Sequence, residues 1–341
     1  MILFSILDLA PIAEGSDATA ALRNSADLAR HAERLGYRRF WLAEHHGMPG
    51  IASAATAVAI ANAGFGTSTI RIGAGGIMLP NHAPLVIAEQ FGTLASLFPG
   101  RVDLGLGRAP GTDHGTARAL RRNLDGGVDT FPQDVVELMG YFAEPQPDQR
   151  VIAVPGAGLD VPVWMLGSSL YGAQLAAMLG LPYAFASHFA TGQMMEAIAA
   201  YRELFQPVGA LDRPYVMLGF NVFAADTDAE AQLLATSMKR AVINIRTGRR
   251  GKLAPPEPDI DARLGPEERA MLSQFLAATA VGSASTIRPI IADFLARTGA
   301  DELIVPSQIY DHAARVRSYE ILAEVRDDLA REEARLGRAA S

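Results

Sequence analysis

Apolar positions along the chain follow two alternating rhythms. Short runs dominated by apolar residues read as buried strands: residues 2–7, 39–43, 70–74, 102–106, 161–166, 183–186, 216–224 and 301–305. Between them, small and apolar residues return every three or four positions, which predicts helices with one buried face. The first helix is capped by Ser16 and Asp17, buries Leu22, Ala26, Ala29 and Ala32, and closes at Gly36. Further helices are expected at about 53–63, 84–98, 132–142, 170–179, 192–205, 226–246 and 286–297. A C-terminal helix over 310–336 turns Leu322, Val325 and Leu329 inward. Strand and helix alternate eight times, which argues for a parallel sheet covered by helices. Eight such units in 341 residues favour one closed (β/α)8 TIM barrel over an open sheet. The predicted fold class is therefore α/β, a single domain over 1–341 with its core in about 1–306.

Three stretches break the rhythm. Residues 112–129 read as a polar loop, an insertion after strand 4. Residues 144–160 read as an irregular excursion, because Pro145, Pro147, Pro155, Gly156 and Gly158 crowd together there. Residues 247–268 are polar and hold Pro255, Pro256, Pro258 and Pro266. They form an insertion after strand 7, where barrels carry active-site lids, and are expected to be a mobile lid.

Composition narrows the chemistry. The absence of cysteine excludes disulfides, iron–sulfur clusters and cysteine nucleophiles. The net charge of −7 comes without a basic stripe, so nucleic acid is not an expected partner. The opening MILFSILDLAP has no basic region and carries Asp8 within its apolar run, which reads as a strand, not a signal peptide. No uncharged apolar run is long enough to span a bilayer, so no membrane is expected and the cytoplasm is the expected location.

Candidate chemistry collects where strands end. Ala74, Gly75 and Gly76 follow the third strand, and Gly105 and Gly107 mark the fourth, with Arg108 next. Backbone without Cβ atoms lets a flat ligand lie close, and an arginine fork can hold a phosphate. This predicts a seat for a phosphorylated planar cofactor. Gly105-x-Gly107 is not a dinucleotide fingerprint, because Pro110 interrupts the helix that should follow. Gly167, Ser168, Ser169 and Tyr171 lie where a helix begins after strand 5, and helix N-terminal N–H groups favour an anion. Glu44, His45 and His46 end strand 2, on the catalytic rim of a barrel. Histidine moves protons near neutral pH. No metal is expected there, since adjacent histidines on a strand end point apart and no third ligand is evident. Asn81 and His82 either border a substrate pocket or cap the helix that opens at Pro84. Phe40 and Trp41 read as strand core, and Trp164 fits either face.

Four segments resemble the bacterial-luciferase-like flavin monooxygenases: FWLAEHH at 40–46, GAGGIMLPNHAPLVIAEQF at 73–91, PGRVDLGLGRAPG at 99–111 and LGSS at 166–169. The likeness runs in order from the first strand to the eighth. It is nearest to the luciferase-like group with LDLAP, LAEHH and GRAPG. The resemblance implies a TIM barrel binding reduced FMN at its C-terminal face and O2 activation through a flavin C4a-peroxide. It implies His45 as acid/base and isoalloxazine lying on residues 73–76. A non-prolyl cis peptide at Gly75–Gly76 is implied too, with Arg108 and the Ser168–Ser169 corner on the phosphate. One departure is visible: bacterial luciferase has an acidic residue where Gly167 stands.

The expected function is thus a flavin-dependent monooxygenase oxidising a small organic substrate with reduced FMN and O2. The reduced FMN would come from a separate flavin reductase, since no second nucleotide-binding unit is visible. A homodimer is the expected state. The rivals are a deazaflavin (F420)-dependent oxidoreductase on the same barrel and a non-catalytic flavin-binding protein.

Overall fold

The protein's structure, a computed structural model, describes residues 2–109, 114–120 and 130–339. Its first half runs β1 (Leu3–Asp8), α1 (Ala18–Arg34), β2 (Arg39–Leu42), α2 (Thr56–Gly64), β3 (Arg71–Met78), a single 3₁₀ turn, α3 (Pro84–Leu97), β4 (Val102–Gly107), α4 (His114–Leu120) and α5 (Phe131–Phe142). The second half runs β5 (Val163–Gly167), α6 (Leu170–Met178), β6 (Tyr183–Phe185), α7 (Met194–Leu204), β7 (Val216–Gly219), β8 (Asn221–Ala224), α8 (Asp228–Arg246), α9 (Ile260–Arg263), α10 (Pro266–Phe275), β9 (Thr279–Gly282), α11 (Ala284–Thr298), β10 (Glu302–Val305) and α12 (His312–Ala339). Eight parallel strands close the expected barrel in the order β1-β10-β7-β6-β5-β4-β3-β2. Asp17 caps α1 by accepting from the Ala20 N–H, and Leu322, Val325 and Leu329 are buried as expected. No helix among the described residues is long and apolar enough to cross a membrane.

The structure corrects the expected elements in several places. The run 216–224 is two strands, because the chain bends at Phe220. β7 stays in the barrel, while β8 leaves it to pair in parallel with β9. All nine residues are buried, so nothing in their polarity marks the change. Helix α10 and strand β9 lie in a segment that the apolar rhythm left unassigned. α10 buries only Leu272 and is amphipathic on too short a stretch to stand out. The expected loop 112–129 contains α4, and the rest of it lies outside the described residues. The third strand runs on through its glycines to Met78, with a register shift between Gly75 and Ile77. Residues 144–160 carry no regular element, as expected, and pack against α3. A Cβ on Gly92 would stand 2.2 Å from the Pro155 carbonyl.

The barrel interior is layered. At the strand N-termini, Arg39 Nη1 donates to Asp103 Oδ2 at 2.7 Å and Arg39 Nε to Glu302 Oε1 at 3.1 Å. Arg71 Nη2 reaches Asp103 Oδ1 at 2.6 Å, and Tyr215 donates to Glu302 Oε2 at 2.8 Å. Ser5 also donates to Glu302. Asp103 and Glu302 are fully buried. The Arg39 guanidinium lies 4.6 Å from the Trp164 ring centroid, and Trp164 meets Trp41 edge-on at 5.2 Å. Both tryptophans thus face inward with Leu7, Met217 and Ile304, while Phe40 packs outward against the helices. Charges, then indoles, then aliphatic groups fill the lower barrel.

Removing one member of a buried charge cluster strands the others. Asp103→Ala is therefore expected to lower the unfolding free energy by about 3–5 kcal/mol in urea titrations. Breaking the exposed Arg297–Asp293 pair by Asp293→Ala should cost under roughly 1 kcal/mol. Equal losses from the two changes would contradict this picture of the barrel floor.

Candidate active site

A cavity of about 630 Å³ opens above the aliphatic layer, at the C-terminal ends of the strands. Its size and mostly apolar lining suit a small-molecule site. Its floor is Gly75 and Gly76, joined by a cis peptide as the resemblance implies. A Cβ on Gly75 would stand 2.8 Å from Leu7 Cδ1 and 2.9 Å from Trp41, and one on Gly76 would stand 2.7 Å from the Gly105 carbonyl. These glycines therefore serve close packing as well as bare backbone. Gly105 serves packing alone: its Cβ would stand 2.4 Å from the Ala74 carbonyl, and it does not line the cavity. Ala74 also departs from its expected role. It is fully buried in the layer between strands and helices and lines no part of the cavity.

One wall gathers Gly107, Arg108, Gly167, Ser168, Ser169, Tyr171 and Gly172 from the ends of β4 and β5. The Arg108 guanidinium carbon lies 4.0 Å from the Tyr171 ring centroid, so the ring orients the fork. No carboxylate among the described residues pairs with Arg108 or lines the cavity. Ser169 occupies the N-cap of α6 without a side-chain cap bond, which leaves its hydroxyl for a ligand. Gly167 has nothing closer than 3.5 Å to a built Cβ, so backbone meets the cavity where the acidic residue was missed. The result is an anion cradle: one guanidinium, two hydroxyls and the opening turn of a helix.

His45 lines the cavity beside the glycine floor, on the loop after β2. Burial pushes its imidazole below the usual histidine range, while the Ala43 carbonyl and Glu44 pull the other way. His188, on the loop after β6, lines the same cavity, and the Nδ1 of each ring is buried without a hydrogen-bond partner. His188 packs so tightly that a Cβ on Gly219 would stand 2.1 Å from its Nδ1. Sequence reading missed His188, although a histidine three residues past a barrel strand stands on the rim.

Glu44 and His46, by contrast, turn away from the cavity. Glu44 is 1% exposed and does not line it. Its Oε1 meets His46 Nε2 at 2.6 Å and His82 Nε2 at 2.8 Å, and its Oε2 accepts the Met78 N–H at 2.9 Å. Burial raises the Glu44 carboxyl, and the bonds from His82, Met78 and His46 more than offset it, holding it below the usual carboxylate range. His82 thus neither borders the cavity nor caps α3, whose N-cap is Ala83.

Part of the 247–268 segment reaches the mouth of the cavity. Leu253 N–H donates to the Ile12 carbonyl at 2.9 Å, and Glu14 N–H to the Leu253 carbonyl at 2.8 Å. Residues 250–253 line the cavity there, opposite the anion cradle. The far wall is apolar, with Met48, Met238, Val242 and Phe275.

Residues 2–302 match the family model described as luciferase-like monooxygenase. A protein of Escherichia coli (strain K12) named luciferase-like monooxygenase is 52% identical over 328 residues, covering 96% of this chain and 98% of its own length. The solved structure of apo-MsnO8 is similar at a TM-score of 0.89 and 35% identity, covering 96% of this chain and 99% of its own. The oxygenating constituent of 3,6-diketocamphane monooxygenase from Pseudomonas putida, solved in complex with FMN, shares the fold. Its TM-score is 0.70 at 19% identity, over 94% of this chain and 96% of its own.

His188 gives the site a pH signature. Burial, with His45 adding to it, pushes its imidazole down to about 4. The unfolded chain takes up a proton below the ordinary value near 6.5 while the native state does not, so stability falls as pH drops from about 6.5 to 4. Chemical unfolding across this window should show up to roughly 3 kcal/mol of such loss, flattened in His188→Gln. An unchanged acid limb in that variant would mean the ring is not held neutral.

Proposed function

The chain belongs to the luciferase-like monooxygenase family, and we propose that it oxidises a small, largely apolar organic substrate with reduced FMN and O2. It is an oxidoreductase of the monooxygenase type; the cofactor and the division of labour within the cavity are our reading. The observation that carries it is the joining of glycine floor, anion cradle and rim histidines in one cavity. A flat ring fits the bare backbone of Gly75 and Gly76 above the aliphatic layer. A terminal phosphate fits Arg108, Ser168, Ser169 and the first turn of α6, with Tyr171 holding the guanidinium in place. Reduced FMN, when bound, supplies the electrons by which one atom of O2 enters the substrate and the other leaves as water.

The chain's own residues then divide the work. His45 moves a proton at the ring edge, and the buried, uncharged His188 offers a second polar contact across the same space. Met48, Met238, Val242, Phe275 and the buried Leu253 exclude water. The cradle side takes the cofactor, so the substrate occupies the side below the lid. In this reading a separate reductase delivers the reduced flavin to the one glycine-floored cavity found among the described residues. Anaerobic titration with reduced FMN and with reduced deazaflavin, followed by O2, tests the cofactor. Tight binding of deazaflavin alone would transfer the reading to that cofactor.

Arg108→Ala should weaken FMN about tenfold or more, since a charge-assisted contact is worth ~1.5–3 kcal/mol. Riboflavin, which lacks the phosphate, should bind nearly as before. Equal losses for the two ligands, measured by fluorescence quenching, would remove the phosphate from this corner.

His45→Ala should keep FMN affinity within a few-fold and lower turnover by ~10²–10⁴. Oxygen consumption in this variant should run to H2O2 in place of product. If circular dichroism shows an unfolded variant, the ring is structural; if coupling to product is unchanged, the proton transfer lies elsewhere.

A further inference from the structure

A second chemical cluster sits beside the cavity and outside it. Glu44, His46 and His82 offer one carboxylate oxygen and two imidazole nitrogens, all within 4.8 Å of one another. The two histidines come from different loops, after β2 and after β3, and both present Nε2 to the same oxygen of Glu44. Their rings stand 6.4 Å apart and are tilted by 51°.

We propose that these three residues form a binding site for a first-row divalent transition metal, with Zn²⁺ as the reference ion. Two neutral imidazoles and one carboxylate are borderline donors, which favour zinc, cobalt or iron over magnesium and calcium. Three protein ligands with one open position are a recurrent zinc arrangement. The second oxygen of Glu44 is fixed by the Met78 N–H, the kind of outer contact that orients a ligating carboxylate. The histidine side chains are 14% and 23% exposed, so an ion has a path from solvent. Without metal the donors close on one another at hydrogen-bond distance. Around a tetrahedral ion they would stand roughly 3.3 Å apart, so the Oε1–Nε2 distances of 2.6 and 2.8 Å would each open slightly. Coordination at Nε2 would replace the two N–H···O bonds, each ring carrying its remaining proton on Nδ1.

None of the three lines the cavity, so the ion would not meet the substrate. It would staple the loop carrying His45 to the turn that follows the glycine floor. Two elements the active site must hold in register would then share one anchor.

The test uses the full chain, freed of metal by chelator and titrated with Zn²⁺ by calorimetry and with Co²⁺ by visible absorption. One equivalent should bind, with tetrahedral Co²⁺ bands and a raised Tm. His82→Ala and His46→Ala, each checked for fold by circular dichroism, should weaken Zn²⁺ by at least about tenfold to a hundredfold and lose the Co²⁺ bands. His31→Ala, at the separate Asp27–His31–His312 surface group, should leave binding unchanged. No stoichiometric binding to the parent chain, or binding undiminished in both cluster variants, would overturn the proposal and leave Glu44 as a hydrogen-bonding clamp on two histidines.

Discussion

A carboxylate with no access to water, Asp103, binds two guanidinium groups at the closed end of the barrel. Arg39 passes the same constraint on to Glu302, and through it to Ser5 and Tyr215. Six of the eight barrel strands, or the residues leading into them, thus meet in one charge cluster, and its charges balance as two acids against two bases. Such a cluster adds little net stability over apolar packing, yet it tolerates no missing partner. It also decides where the cavity can be. With the lower barrel filled by ions and indoles, the cavity within the barrel lies at the end where the loops carry His45, Arg108 and His188.

Much of the fold was legible from the chain's apolar rhythm, because parallel barrel strands are buried on both faces and read as short apolar runs. The same uniformity hid the bend at Phe220: residues 216–224 are buried throughout, whether they face the barrel or the second sheet. The glycines of β3 and β4 were legible as special positions but ambiguous in role. Gly76 and Gly105 admit the neighbouring backbone, and only Gly75, Gly76 and Gly107 also face the cavity.

Positions that reach the cavity by standing at a strand end were readable from sequence: His45, Arg108, Ser168 and Ser169 all line it. Residues whose importance comes from a distant partner were not. Nothing in the sequence joins His82 to Glu44, which lie 38 positions apart, or sets Gly219 against His188. The turn after β3 brings His82 back over β2, and this was visible only once β3 was known to run on through its glycines to Met78. Ala74 was misjudged for a related reason: strand alternation places its side chain outward, one position before the chain enters the floor.

The way residues 250–253 are held has a consequence for how such a barrel diversifies. Leu253 is tied to Ile12 and Glu14 by main-chain N–H and carbonyl groups, which every residue type but proline supplies in full. Leu253 is thus fastened by atoms that mutation does not alter, while Lys252 adds a side-chain bond from Nζ to the Ser16 carbonyl at 2.6 Å. Gly251, which lines the cavity beside Lys252 and whose built Cβ would meet nothing within 4 Å, can be exchanged without unpicking those bonds. Change at the cavity mouth therefore has a position to act on that is decoupled from the buried ions and close-packed glycines of the barrel.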